Sequence, residues 1–183
     1  MQIRGRAKQD LGEAIFQALS GRAYSSVEKA STQEAAKAMV DRWGSTKAVA
    51  ERLGVSVRTV ERYVSGAIQN PSKRNRDQFA AAHREAKITP GRKQKAAESG
   101  TASGPDRTQT GTGGLAIFGS VRVSEDERDR WITPGSHMTP AEADGIIDAM
   151  VQNGPEAAAA ALNTVIQRYV PGMHINYIEE IDY

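Results

Sequence analysis

The chain has 183 residues, of which 39% are hydrophobic, 5% aromatic and 25% charged, and it contains no cysteine. This length and mix allow one ordinary core or two small ones, and they exclude a large enzyme scaffold, a disulfide framework, a thiol nucleophile and a cysteine-based zinc site. The net charge of +2 conceals a division: residues 1–98 carry 19 Lys and Arg against 10 Asp and Glu, whereas residues 99–183 carry 5 against 12. A basic front half gains from counterion release on a polyanion, while an acidic back half is repelled by phosphate and has another task.

The charged start leads into no sustained apolar stretch, and the longest apolar run, Ala157 to Leu162, is far short of the ~20 residues a bilayer span needs. The expectation is a cytoplasmic, nucleoid-associated chain with no membrane contact. Residues 1–30 read as an N-terminal helical extension, with Leu11, Ile15, Phe16 and Leu19 at helical spacing before Ser20-Gly21. A helix then follows over 31–43, where Ser31 and Glu34 make a capping box ahead of Ala35, Ala36, Met39, Val40 and Trp43.

The segment 46–64, TKAVAERLGVSVRTVERYV, carries the sharpest pattern. Val49, Ala50 and Leu53 form the inner face of a short helix, and Gly54 stands where a sharp turn needs a positive φ. Val55 packs the turn, Ser56 caps a second helix, and Val60, Tyr63 and Val64 point inward. This is the spacing of a helix-turn-helix, whose second helix lies in the DNA major groove. The candidate DNA contacts are Ser56, Val57, Arg58, Thr59 and Arg62 on that helix, with Thr46 and Lys47 at the start of the one before it. Arginine pairs in bidentate fashion with guanine, and hydroxyls at a helix start suit phosphate. Lys73, Arg74 and Arg76 extend the set as phosphate anchors. Arg84, Lys87, Arg92, Lys93 and Lys95 continue the basic stretch.

Residues 89–114 hold no large apolar residue and read as a flexible linker. In 115–124, LAIFGSVRVS has strand character, and Ser124-Glu-Asp-Glu127 reads as a helix N-terminus with a hydroxyl cap. Further helices start at Thr139-Pro140, with Ile146, Ile147, Met150 and Val151 as an apolar stripe, and at Pro155. HINYIEEIDY (174–183) reads as a strand able to pair with 115–124. His83, His137 and His174 lie in different segments and read as surface or capping residues rather than metal ligands. TGTGG (110–114) lacks the lysine and hydroxyl of a phosphate loop, and the acids Asp126, Glu127 and Asp129 read as a helix first turn.

STKAVAERLGVSVRTVERYV (45–64), followed by a basic helix, a Gly/Thr linker and a C-terminal half ending in an acidic strand, resembles the telomere terminal proteins (Tpg family) of linear streptomycete chromosomes and plasmids. The resemblance is close over 45–95 and extends less specifically to IFGSVRVSEDERDRW (117–131). It implies a protein joined through a hydroxyl to the 5′ end of a linear replicon. Such a protein primes a DNA polymerase there, together with a telomere-associated protein. The family's priming threonine precedes an acidic pair. The matching position here is Ser124, a serine in place of threonine, with Thr108, Thr110 and Thr112 as competing hydroxyls. Mg²⁺ would arrive with the polymerase, so no intrinsic cofactor, metal or active site is expected and the chain is not itself an enzyme.

The expected fold is mainly α with a small α+β C-terminal part. A helix-turn-helix domain spans 31–88, and a priming or interaction domain of two strands and about three helices spans 115–183. Two rivals stand beside the terminal-protein reading. One is a transcriptional regulator or plasmid replication repressor whose C-terminal module forms a homodimer. The other is a small nucleotidyl- or phosphoryl-transfer enzyme using the acids of 125–129.

Overall fold

A computed structural model describes residues 3–98 and 115–182. The chain divides into two compact units, one made of Tyr24–Thr89 and the other of Met1–Ala23 together with Pro90–Tyr183. In chain order the second of these begins with strand β1 (Ile3–Gln9) and helix α1 (Leu11–Ser20), capped by Asp10 and closed by Gly21 at φ 73°.

The Tyr24–Thr89 unit is all helical: α2 (Ser25–Glu28), α3 (Thr32–Trp43), α4 (Thr46–Leu53), α5 (Val57–Val64) and α6 (Arg76–Lys87). Its helix starts are dictated locally. Ser31 and Glu34 close a capping box on α3, Ser45 accepts from the Ala48 N–H, and Ser56 accepts from the Thr59 N–H. The stops are equally local, with Gly44 and Gly54 in the left-handed region. The apolar stripes meet in one core, Ala35, Ala36 and Met39 against Val49, Ala50 and Leu53, with Val60, Tyr63, Phe79 and Ala82 closing it. Tyr63 and Phe79 pack edge to face with ring centres 5.1 Å apart. Two amides tie helix ends across this core: Gln33 donates to the Val64 carbonyl and Gln78 to that of Arg52.

The other unit continues with α7 (Pro90–Glu98), β2 (Ala116–Val123), β3 (Asp126–Ile132), a 3-10 turn at Pro134–His137, α8 (Pro140–Asn153), α9 (Pro155–Tyr169) and β4 (Met173–Asp182). The four strands form an antiparallel sheet in the order β1-β4-β2-β3. Its covered face contributes Ile117, Val121, Ile132, Met173, Ile178 and Ile181 to the core beneath α1, α8 and α9. β2 and β4 approach through an irregular register at Gly119, where a Cβ would stand 2.1 Å from the Tyr177 carbonyl oxygen. α8 starts on the Thr139–Glu142 capping box and carries the expected buried stripe of Ile146, Ile147, Met150 and Val151.

Four differences from the sequence reading have physical causes. Residues 3–9 form a strand rather than part of a helical extension, because the free edge of β4 supplies backbone partners that no local pattern announces. Residues 90–98 of the expected linker form α7, which packs on α8 and α1 through small alanines and a Lys93–Asp148 ion pair at 3.8 Å. Residues 99–114, with Thr108, Thr110 and Thr112, lie outside the described residues. Ser124 starts no helix: Val123 pairs with Asp126, so Ser124 and Glu125 form a two-residue hairpin loop between β2 and β3. The hydroxyl-cap pattern is outweighed there by seven cross-strand pairings, including Phe118 and Trp131, whose tilted rings have centres 5.4 Å apart. Finally, His83 is buried at 4% exposure rather than on the surface. Among the described residues no helix is long and apolar enough to cross a membrane.

Candidate nucleic-acid interface

The α4–α5 pair is held by its turn. Gly54 takes φ 59°, and the Val55 N–H returns to the Ala50 carbonyl at 3.0 Å. The small Ala50 side chain, 4% exposed, lies in the core with Val60 and Tyr63 of α5. With Val60 and Tyr63 committed inward, the 3.6-residue period turns Val57, Arg58, Glu61 and Arg62 outward, and all four are exposed. Lys47 is exposed on the first turn of α4, whereas Thr46 beside it is half-buried.

The two hydroxyls at the start of α5 are already occupied. Ser56 Oγ lies 2.9 Å from Thr59 Oγ1 and accepts the Thr59 N–H at 3.2 Å. Both oxygens retain lone pairs, but their first role is to close this helix end.

Lys73, Arg74 and Arg76 are exposed at the entry to α6. Arg74, Ser72, Asn75 and Gln78 line an open groove against Leu53 and Gly54, so the α4–α5 turn and the start of α6 share one concave surface. Asn75 caps α6 with no side-chain hydrogen bond, so its side chain satisfies none of the first-turn N–H groups. Among the described residues Lys47, Arg58, Arg62, Lys73, Arg74 and Arg76 form no ion pair.

Several of the other cations are paired, buried or part of the other unit. Arg52 pairs with Glu85 at 3.3 Å and lies over the Trp43 ring at 4.5 Å. Arg84 is 8% exposed, and Arg92, Lys93 and Lys95 belong to α7 in the other unit. His83, behind this surface, leaves Nε2 buried without a hydrogen-bond partner. Desolvation, reinforced by Lys87 and Arg84 and opposed by Glu34, pushes it down to about 4.

Ser124 projects from the hairpin loop as an exposed residue with φ 56°, the one non-glycine in the left-handed region among the described residues. The acids beside it do not converge. Asp126 is paired with Arg128 at 2.6 Å and Arg130 at 3.2 Å, and these guanidiniums hold its carboxyl below the usual range. Glu127 accepts from Ser120 at 2.8 Å and from Asn176 at 2.7 Å, which lowers it in the same way. Asp129 accepts from the Tyr177 hydroxyl at 3.0 Å and thereby raises that phenol. By strand alternation Asp126 lies on one face of the sheet and Glu127 and Asp129 on the other. No group of three potential metal-ligating acids and histidines occurs among the described residues.

Sequence reasoning missed Gln33, Gln78 and Asn75, because nothing in an amide's sequence context tells which distant carbonyl or groove it will meet. It also missed Trp131, 47% exposed on the open face of the sheet, which becomes visible only once β3 is known to be a strand. Comparison of the chain with protein-family models, curated proteins and solved structures returns no match.

Proposed function

We propose that this chain is a DNA-binding terminal protein that caps the 5′ ends of a linear replicon and primes replication there through a hydroxyl–nucleotide phosphodiester. The observation that carries the DNA-binding part is the surface made by α4, the Gly54 turn, α5 and the start of α6. A capped helix presents Arg58 and Arg62 on its outer face, Arg74 lines a groove with the Gly54 turn, Lys47, Lys73 and Arg76 are exposed, and among the described residues none of the six forms an ion pair. In this reading α4 and α5 are a helix-turn-helix, α5 enters the major groove, and the flanking cations hold phosphates. Thr46, Ser56 and Thr59 contribute through the helix ends they build.

The priming part rests on the resemblance over 45–95 and on the exposure of Ser124. A hydroxyl at the tip of a two-residue hairpin loop projects beyond the sheet and suits entry into the cleft of a partner polymerase. That partner would supply Mg²⁺ and transition-state stabilisation, and a telomere-associated protein completes the assembly. The serine oxygen attacks the α-phosphorus of a deoxynucleoside triphosphate, its proton leaves to solvent or the polymerase, and pyrophosphate departs.

One observation favours a second reading, a regulator that homodimerises through its C-terminal unit: Phe118 and Trp131 pack side by side on the open sheet face, where a dimer interface would cover them. The deciding experiment incubates the full chain with a replicative polymerase, a linear-end template and labelled deoxynucleotide. Protein-bound label that Ser124→Ala abolishes supports the proposal. Absence of label on every template, with dimeric binding to an internal palindrome, overturns it in favour of the regulator.

A further inference from the structure

Val57 is 38% exposed, and within Tyr24–Thr89 no other large apolar side chain among the described residues is so open. The remaining large apolar residues of the α4–α5 segment are used by the fold. Val49, Leu53, Val60 and Tyr63 are core, and Val55 and Val64 pack against it. Val57 has no such role. It is the first residue of α5, and the positions that staple this helix start across its cap are Val55 and Val60. Helix propensity does not explain it either, since a β-branched residue is a weaker helix former than the alanine, lysine or glutamate an exposed position would take.

Its surroundings define what it fits. Ser56 lies immediately before it, Arg58 immediately after, and Glu61 and Arg62 one turn on, so a single rigid apolar tip stands in an otherwise polar and mostly cationic face. That charge complements a nucleic-acid phosphate backbone. On the major-groove edges of DNA the one apolar group is the C5-methyl of thymine. The leading residues of a recognition helix are those that reach base edges.

From this we infer that Val57 packs against the C5-methyl group of a thymine in the major groove and makes the chain's binding site thymine-dependent at that position. The inference rests on the DNA-binding reading of α4 and α5. It adds the base and the chemical group that Val57 selects.

The test uses the full chain and a duplex selected by it from a random-sequence pool. Affinity is measured for the selected duplex and for versions in which each thymine in turn is replaced by uracil, which removes only the methyl. For the unaltered protein, one replacement is expected to weaken binding about three- to fivefold, the value of one buried methyl group. Val57→Ala, which keeps only its Cβ for such a contact and whose helix content is checked by circular dichroism, should bring the thymine and uracil duplexes closer together in affinity. Arg58→Ala should bind both more weakly and keep their ratio. If no thymine is sensitive, or if Val57→Ala retains the full sensitivity, the inference falls while the DNA-binding reading stands. If no duplex is selected at all, that reading falls and the inference with it.

Discussion

Acidification should loosen the helical unit through one side chain, His83. In the folded chain its imidazole is 4% exposed, Nε2 has no hydrogen-bond partner, and its pKa lies at about 4 against an ordinary value of 6.5. Desolvation is the main cause, and Lys87 and Arg84 add to it while Glu34 on α3 works in the opposite direction. Above pH 6.5 the histidine is neutral in both folded and unfolded chains, and its full contribution is present. As pH falls through 6.5 the unfolded chain takes up a proton that the folded chain refuses until about pH 4, so stability drops across this window. At 1.36 kcal/mol per decade the complete loss is about 3 kcal/mol, of which about 2 kcal/mol should have appeared by pH 5.

The two tryptophans make this measurable in the full chain, because Trp43 lies on α3 and Trp131 in the other unit. In a Trp131→Phe background, urea unfolding followed by Trp43 fluorescence should give a midpoint that falls between pH 7.5 and 5. The window stays above the range where Glu34, held low by its bonds to Ser31, takes up a proton. His83→Gln, neutral at both pH values, should remove most of the dependence. Equal stability at the two pH values, or an unchanged slope in His83→Gln, would refute the account. His137 and His174 are exposed and lie outside the helical unit, so they do not explain a change read by Trp43.

Arg58→Ala and Arg62→Ala should each weaken DNA binding by ~1–3 kcal/mol and relax sequence preference if the guanidinium reads a base, as competition between selected and scrambled duplexes would reveal. Unaltered binding in both variants removes α5 from the interface. Substituting Lys73, Arg74 or Arg76 by alanine should instead weaken all sequences alike and lower the slope of log affinity against log salt by about 1 for each phosphate no longer neutralised. Losses that differ between sequences would count against that role. Ser124→Gly should raise the stability of the sheet unit, read by thermal unfolding, by about 0.5–1 kcal/mol, since the loop holds Ser124 at φ 56°. Gly119→Ala should act in the opposite sense and expose the sheet core, because its Cβ would stand 2.1 Å from the Tyr177 carbonyl oxygen. A folded Gly119→Ala chain with unchanged melting temperature would show that β4 yields there.

What the sequence determined by itself are the features whose partners lie within a few residues. Ser31 finds Glu34, Ser56 finds the Thr59 N–H, Thr139 finds Glu142, and Gly54 meets the turn that needs it; each is satisfied within one helical turn, so each helix end is legible without knowing the fold. The outward row of α5 was legible for the same reason, because the inward residues Val60 and Tyr63 set its phase. The pairing of the segments around 116–123 and 173–182 could also be read, from β-branched character at both ends.

The tertiary structure decided what depends on a distant partner. The strand at 3–9 exists because β4 offers an open edge, and the segment after Ser124 becomes β3 because pairing along β2 outweighs a local cap. Charge came out the same way. Composition marks a run of cations from Lys73 to Lys95, but within that run Arg84 is buried, Lys93 faces the carboxylate of Asp148, and Arg74 shares a groove with the Gly54 turn. A formal charge belongs to a residue, whereas its availability to a phosphate depends on solvent and on which carboxylate the fold brings near, and that is fixed only when each unit has packed.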